Sequence, residues 1–279
     1  VLLMIGNVSI QKNDLDISVE SLQRAWGRFR RGKRWSPEMV KFWYRLEEEV
    51  ASLSNDIATD KYRHSCYRTF EVTDNKRRTI RVASVRDRVV HRLLYDYLVS
   101  RFDRIFIFDV WSCRKGKGLL GAITRVREFF HRHHEKFVWR ADIRKFFDHV
   151  DHPTLKQILA RKVDDPLALR LLTEIIDSYF VSPGADERER EREREELLPH
   201  GIPIGNLTSQ IFANIYLNEL DHFVVHSLKP NAYLRYGDDF IIIVNDRKKA
   251  EEFRARIAGF LEQVLSLYVN PKNRPVAQP

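Results

Sequence analysis

Three aspartates in this chain lie next to strongly apolar segments, where a charged side chain is unfavourable. Asp142 ends the apolar run 137–141, and Asp238-Asp239 separates two further apolar runs. Carboxylates beside buried surface need a compensating charge. Magnesium is commonly held by a few carboxylates together with substrate phosphates. The pattern therefore predicts a divalent-cation site, and two ions about 4 Å apart would activate an attacking hydroxyl and stabilise a leaving pyrophosphate.

An ordinary hairpin turn explains the Asp238-Asp239 pair equally well when that pair is taken alone, because Asp favours turns. The upstream Asp142, at the end of a predicted strand, favours a shared site instead.

The elements that must position these aspartates follow from periodicity and capping signals. The predicted helices are 18–32, 36–53, 86–102, 119–134, 153–162, 166–180, 206–226 and 247–265. The predicted strands are 66–72, 78–83, 137–141, 233–236, 240–244 and 267–270. This mixed order predicts an α+β fold, with an antiparallel sheet that carries helices on one face.

Composition limits the class of protein. The 279 residues suffice for one large domain or two small ones, and 48 Lys+Arg against 39 Asp+Glu give a net charge of +9. This charge fits either a polyanionic partner or a merely basic protein. The two cysteines exclude a disulfide framework and a Cys-rich zinc site. The low cysteine count suits a reducing cytoplasm, which is the expected location. We expect no membrane attachment, because no run approaches the length of a spanning helix.

Five motifs in order carry a family resemblance. Tyr236-Gly-Asp-Asp239 resembles a tyrosine-X-Asp-Asp box, Ala141-Asp-Ile-Arg-Lys-Phe-Phe-Asp148 a first palm motif, and 201–210 the motif between them. Upstream, 84–91 and 112–118 resemble fingers segments. Over about residues 62–272, the chain resembles bacterial reverse transcriptases, which are RNA-directed DNA polymerases, of the diversity-generating-retroelement and group II intron type.

The resemblance implies a right-hand polymerase with fingers and palm, in which helices back an antiparallel palm sheet. By position, 1–60 would form an N-terminal helical extension, 61–135 the fingers and 136–279 the palm. The palm would contain a charged insertion at 183–198, and a fingers contribution from 150–200 is left open. No thumb-like segment follows the palm motifs, so we expect no thumb in this sequence, either because the sequence is a fragment or because those parts lie elsewhere.

The resemblance also assigns the aspartates. Asp142 and Asp238 would hold two Mg²⁺ or Mn²⁺ ions, with Asp239 as the third catalytic carboxylate and the backbone carbonyl of Ile143 as a further ligand. Phe147 stands where the family keeps an aromatic steric gate against the ribose 2′-hydroxyl. Core packing is the alternative for Phe147.

A second group of residues is predicted to bind the incoming nucleotide. Gly205 would let the backbone approach the templating pair closely, and Ile204 stands where many relatives keep Gln. Arginines of the hairpin region would grip the triphosphate through bidentate contacts. Besides Phe147, the predicted nucleotide-binding residues are Arg78, Arg86, Ile204, Gly205, Gln210 and Lys272. For Lys272, an ordinary surface lysine is an equal alternative.

A third group is predicted to contact the nucleic acid: Arg114, Lys115, Lys117 and Tyr236. The segment 114–118 is a basic, glycine-broken turn, and its alternative is an ordinary loop. The residues 24–35, rich in Arg and aromatics, line either a template channel or a helix interface. The alternating Glu and Arg of 186–196 predict a solvated insertion, with a nucleic-acid tether as the minority interpretation.

The predicted function is RNA-directed DNA synthesis on an RNA template, from a DNA or RNA primer and deoxynucleotides, with an accessory protein as a further possible partner. One alternative is an RNA-dependent RNA polymerase, since Gly237 matches the usual viral form of that box. Phe147 argues against it, because RNA replicases usually carry a second Asp there. The other alternative is a non-catalytic nucleic-acid-binding protein on a polymerase scaffold.

Overall fold

The computed structural model describes residues 14–73, 77–179, 199–271 and 273. It has a mixed α+β fold with two antiparallel sheets. The strands are β1 (Arg68–Thr73), β2 (Arg77–Val82), β3 (Phe137–Asp142), β4 (Ala232–Tyr236) and β5 (Asp239–Val244). The α-helices are α1 (Val19–Arg30), α2 (Pro37–Tyr44), α3 (Leu46–Ala58), α4 (Val85–Phe102), α5 (Leu119–Arg132), α6 (Phe146–His149), α7 (His152–Ala160), α8 (Pro166–Asp177), α9 (Leu207–His222) and α10 (Arg247–Leu265).

The three-stranded sheet has the order β3-β5-β4, and both of its faces are covered. On one face Trp139, Phe240 and Ile242 join the main core together with α9 and α10. On the other face Leu234 and Ile243 pack with α5 in a second apolar cluster. The expectation of helices on one face only was therefore wrong, and the reason is that β5 carries apolar side chains on both of its faces, Phe240 and Ile242 on one and Ile241 and Ile243 on the other.

Two predicted helices have different limits in the structure. The helix predicted for 36–53 is divided into α2 and α3 at Arg45, whose φ of −118° and ψ of 26° are not helical. The apolar spacing from Met39 to Ile57 stays helical across this break, so periodicity gives no sign of it. The helix predicted for 206–226 ends at His222, and the chain continues as a π-helical turn, Phe223–Leu228.

The strand predicted for 267–270 was also wrong. This segment makes only an isolated bridge between Val269 and Ile143. It runs beside the residues that follow β3, with Arg144 N donating to Tyr268 O at 2.8 Å. Because its partner has already left the sheet, no regular ladder forms.

The two-stranded sheet β1–β2 is a hairpin that the sequence predicted within two residues at each end. Its tip at 74–76 lies outside the described residues, as do the predicted charged insertion and Lys272. Among the helices that the structure describes, none is both long and apolar enough to cross a membrane.

Candidate active site

The three predicted catalytic aspartates meet at one edge of the three-stranded sheet. Asp142 and Asp239 are Cα partners in the β3–β5 ladder. Asp238 lies in the two-residue turn that joins β4 to β5, since Tyr236 also pairs with Asp239. Gly237 begins this turn with a φ of +67°, which the first position of a type II′ turn requires. A Cβ at Gly237 would meet nothing within 4 Å, so backbone conformation alone favours glycine here.

The neighbouring Asp238 and Asp239 have different electrostatic environments. Burial raises the pKa of Asp238, and the negative charges of Asp239 and Asp142 raise it further. Asp239 is more exposed and accepts a hydrogen bond from the Arg140 guanidinium at 3.1 Å. Asp238 is therefore a crowded carboxylate that a cation would relieve, whereas Asp239 already has a cationic neighbour.

Asp142 is held by the segment that the sequence predicted as a strand. The Asn270 side-chain amide donates to Asp142 Oδ2 at 3.0 Å. The Asp142 carbonyl accepts from the Asn270 backbone N–H at 3.0 Å and from the Asn273 side chain at 2.8 Å. These contacts fix both the backbone and the carboxylate at the end of β3.

A buried ion pair anchors the turn that carries Asp238. Arg235 in β4 and Asp221 in α9 are both fully buried, and they form a bidentate pair at 2.8 and 2.6 Å. The Tyr233 hydroxyl donates to the same carboxylate at 2.7 Å. The charge of Asp221 raises the pKa of Arg235 against the opposing effect of burial, so the guanidinium stays protonated.

The remaining donors of Arg235 reach the turn itself. Its Nη1 donates to the Gly237 carbonyl at 2.9 Å and to Asn214 Oδ1 at 3.1 Å. The Gly237 N–H donates to the Ser112 hydroxyl at 2.9 Å. Both backbone polar groups of Gly237 therefore have fixed partners, and the position of Asp238 depends on these contacts.

The carboxylates fit the chemistry of the predicted ions. Within the described residues, no group of three or more His, Cys, Asp and Glu side chains is arranged to hold a metal ion by itself. Magnesium needs only one or two protein carboxylates when substrate phosphates supply further ligands. Asp142 and Asp238 provide such oxygens at one edge of the sheet, close enough for the charge of Asp142 to raise the pKa of Asp238.

The middle motif joins the segment of Phe147 to the hairpin. The Ile202 N–H donates to the Phe147 carbonyl at 2.7 Å, and Arg81 N–H in β2 donates to the Ile204 carbonyl at 3.0 Å. A Cβ on Gly205 would lie 2.8 Å from Ile80 Cγ2, and its φ is +117°. Close packing against β2 thus requires glycine here, a reason that the sequence did not reveal.

The two phenylalanines of the first motif have different surroundings. Phe146 is buried in the main core, and Phe147 is half-buried, with ring centroids 5.3 Å apart. One member of the pair is thus a core residue, and Phe147 is the one with an accessible surface.

The other predicted nucleotide-binding residues are not all brought together. Arg78 is exposed on β2, on the same side of the strand as Ile80. Gln210 is exposed in the first turn of α9. The Arg86 guanidinium instead pairs with Asp56 at 2.6 Å, which does not favour a triphosphate contact. Lys272 lies outside the described residues.

Of the predicted nucleic-acid contacts, some are engaged within the protein and others keep an accessible surface. Arg114 donates to Asp103 and to the carbonyls of Ile107 and Val110, so its guanidinium is occupied inside the protein. Lys117 donates to the Phe108 carbonyl at 2.9 Å. Lys115 is exposed, and Tyr236 is half-buried beside the aspartates. The arrangement favours Lys115 and Tyr236 over Arg114.

Sequence reasoning missed Arg235, Asp221 and Asn270 as supporting residues. A signal was present for the first two. Arg235 interrupts an otherwise apolar strand, and Asp221 shares the core-facing side of α9 with Leu217. Two opposite charges at core positions of adjacent elements predict a buried pair. No comparable signal marks Asn270.

Comparison with known proteins identifies a family match. The family model described as reverse transcriptase (RNA-dependent DNA polymerase) matches residues 71–273. Protein YkfC of Escherichia coli (strain K12) is 24% identical, over 81% of this chain and 67% of that protein. The group II intron-encoded protein LtrA of Lactococcus lactis subsp. cremoris is 21% identical, over 64% of this chain and 28% of LtrA.

Solved structures share the fold. A telomerase from Candida Tropicalis, in complex with the TWJ fragment of telomeric RNA, matches 80% of this chain and 44% of its own. The TM-score is 0.52 at 14% identity, a likeness of fold alone. The chain spans about two thirds of YkfC and less than a third of LtrA.

The buried pair makes a first prediction. Arg235→Met leaves the Asp221 carboxylate buried without its cation, so we expect the free energy of unfolding to fall by about 3–5 kcal/mol. Urea denaturation measures this loss. The exposed pair of Arg247 and Glu251 provides the control, since Arg247→Met should cost at most about 0.5 kcal/mol. Equal losses in the two variants would contradict the anchoring role.

The raised pKa of Asp238 makes a second prediction. A raised folded-state pKa means that the ionised carboxylate opposes folding, so stability is lost as the pH rises through that pKa. Asp238→Asn should therefore raise the melting temperature in EDTA at neutral pH and leave it unchanged near pH 3. Added Mg²⁺ should stabilise the wild type and not the variant.

Thermal melts over this pH range, with Asp164→Asn as an exposed control, check the expectation. A variant that melts below the wild type at neutral pH in EDTA would show that Asp238 is not a crowded carboxylate.

Proposed function

The chain belongs to the reverse transcriptase (RNA-dependent DNA polymerase) family, and from that membership we propose that it is an RNA-directed DNA polymerase. It adds deoxynucleotides to the 3′ end of a DNA or RNA primer on an RNA template. The observation that carries the proposal is the meeting of Asp142, Asp238 and Asp239 at one sheet edge, within the region that the family model matches. An accessory protein is a further proposed partner.

Asp142 and Asp238 are the proposed ligands of two Mg²⁺ or Mn²⁺ ions, with the Ile143 carbonyl as a further ligand. When bound, the ions would lower the pKa of the primer hydroxyl and neutralise charge on the leaving pyrophosphate. The protein holds the ligand oxygens in place beforehand, through Asn270 for Asp142 and through Arg235 for the turn of Asp238. Arg140 limits the charge repulsion from Asp239. Catalysis rests on positioning and electrostatic stabilisation.

The nucleotide pocket is proposed to lie between the hairpin, the middle motif and Phe147. Its support is the hydrogen-bonded path from Phe147 through Ile202 to Ile204 and on to β2. Phe147 is the proposed gate against a ribose hydroxyl. Arg78 is the preferred triphosphate ligand, because the structure describes no hydrogen bond or ion pair for its side chain. Gln210 and Lys272 stay predictions.

Lys115 and Tyr236 are the proposed contacts to the template and primer, and Lys117 is a weaker candidate. Burial lowers the pKa of Lys117, whose ammonium lies 3.5 Å from the Phe108 ring centroid and 4.0 Å from that of Trp111. A cation engaged in this way is less available to a phosphate.

The domain assignment is likewise a proposal. We assign 1–60 to an N-terminal helical extension, 61–135 to the fingers and 136–279 to the palm. The extension's support is that α1, α2 and α3 precede the hairpin as consecutive helices; α1 and α2 pack on α4 within the main core, and α3 packs on α1. The expected absence of a thumb stays a prediction.

Gly237 does not require the RNA-replicase alternative. Its φ of +67° gives glycine a structural reason at this position. The aromatic Phe147 favours deoxynucleotides. The proposal therefore keeps DNA as the product.

Primer extension tests the proposal. Wild-type protein with a primed RNA template, Mg²⁺ or Mn²⁺ and deoxynucleotides should extend the primer. Asp238→Asn should abolish synthesis and keep the affinity for the primer–template duplex, because it removes a metal ligand and no duplex contact. Asp164→Asn is the matched control and should extend normally.

Other outcomes of this experiment assign other functions. Products made from ribonucleotides alone would identify an RNA-dependent RNA polymerase. Duplex binding without any extension by the wild type would identify a non-catalytic binding protein on a polymerase scaffold.

Sugar selectivity tests the gate. Phe147→Val should reduce the preference for deoxynucleotides over ribonucleotides by about 100-fold, because a smaller side chain leaves room for the 2′-hydroxyl. The ratio of kcat/KM for the two nucleotides measures this preference. The same change at Phe260, a half-buried phenylalanine stacked on Phe223, should leave the ratio unchanged. An unaltered ratio in Phe147→Val would remove Phe147 from the pocket.

A further inference from the structure

Two exposed tryptophans form a surface feature that the proposed active site does not use. Trp35 lies between α1 and α2, and Trp43 lies near the end of α2, with 44% and 47% of their surfaces exposed. Their ring centroids are 6.2 Å apart, in an edge-to-face arrangement. The Arg30 guanidinium lies 5.8 Å from the centroid of Trp35 and 5.6 Å from that of Trp43. We call Arg30, Trp35 and Trp43 the tryptophan platform.

The platform is distinct from the core of these helices. Trp26, Phe29 and Phe42 are buried and account for the packing of α1 and α2. Trp35 touches this core only at its edge, with its ring centroid 6.3 Å from that of Trp26. Helix packing therefore explains the buried aromatics of this region and leaves the two exposed indole rings unexplained.

Cations surround the platform. Arg31, Lys33 and Arg34 follow Arg30 directly and are exposed. In the part of the chain that the structure describes, none of these four side chains has a carboxylate partner, whereas Arg24 and Arg28 of the same helix pair with Asp16 and Asp96. The nearby Glu38 is already paired with Arg68, at 2.5 Å. The local charge is thus uncompensated and complements a polyanion.

We propose that the tryptophan platform binds single-stranded RNA outside the active site. Indole rings that keep nearly half of their surface exposed can stack on unpaired bases, and neighbouring cations pair with phosphates. A double helix hides its base faces, so this surface selects unpaired strands. The choice of RNA over DNA rests on the proposed function, in which the template is RNA.

The platform also has a structural link to the proposed fingers. Glu38 in α2 accepts from Arg68 in β1 and from the Val85 N–H at the start of α4. RNA held by the platform is therefore linked, through Glu38, to the hairpin whose second strand carries Arg78.

Fluorescence anisotropy with a labelled oligouridylate tests the proposal without requiring catalysis. Each of Trp35→Ala and Trp43→Ala should weaken binding by about tenfold, and the double variant by more. Trp35→Phe and Trp43→Phe keep a stacking surface and should retain most of the affinity. Val264→Ala, at an exposed apolar position of α10, is the matched control and should bind as the wild type does.

Two further measurements test whether the lost affinity is specific for unpaired strands and for phosphate contacts. The double alanine variant should bind a blunt primer–template duplex normally, and its melting curve should show that the fold is intact. Replacing Arg31 and Arg34 with Gln should reduce the slope of log affinity against log salt by about 0.7 for each lost phosphate contact.

The results separate this inference from the proposed function. Asp238→Asn should keep full oligouridylate binding although it fails to extend primers. Wild-type affinity in the folded double alanine variant would overturn the inference, whatever the polymerase assay gives. Unchanged RNA affinity together with lost self-association in sedimentation would overturn it as well and assign the platform to a protein interface.

Discussion

The position of the candidate active site depends on one buried ion pair, between Arg235 and Asp221. An isolated charge at either position would be strongly unfavourable in the core, but the bidentate geometry and the Tyr233 hydroxyl satisfy both groups. This pair is directional, unlike the apolar contacts around it. It fixes the position of β4 along α9. A further N–H of Arg235 donates to the Gly237 carbonyl, so the turn is held in place by the same side chain.

Much of the fold was predictable because local signals and tertiary packing agree. Asp246 caps a helix that begins at the predicted residue, and Ser84 caps one that begins a single residue before its predicted start; each side chain accepts a backbone N–H of the first turn. The hairpin around Gly237 follows from two apolar strands joined by a glycine-containing turn. The antiparallel register then brings Asp142 opposite Asp239. The aspartates could thus be found from sequence, although their metal binding remains a proposal.

The remainder could not be predicted, because it depends on contacts between distant segments. Nothing near Asn270 shows that its amide will reach Asp142, 128 positions earlier. Arg86 and Arg114 have the composition of phosphate ligands, but Asp56 and Asp103 engage them. Periodicity also cannot show the break at Arg45, where one apolar stripe continues through two helices. For Asn270, Arg86 and Arg114, the role depends on a partner that is distant in the sequence and that the local residues do not identify.

The joint between the middle motif and the hairpin constrains how the protein moves. Ile204 and Asn206 share three hydrogen bonds with the chain from Arg81 to Ala83, and Gly205 packs directly on Ile80. The hairpin therefore cannot swing by itself about the end of β2 without breaking this joint. Any hinge motion of the hairpin must carry the loop before α9 with it. The hairpin and this loop, which form two walls of the proposed pocket, therefore move as one unit relative to the aspartates.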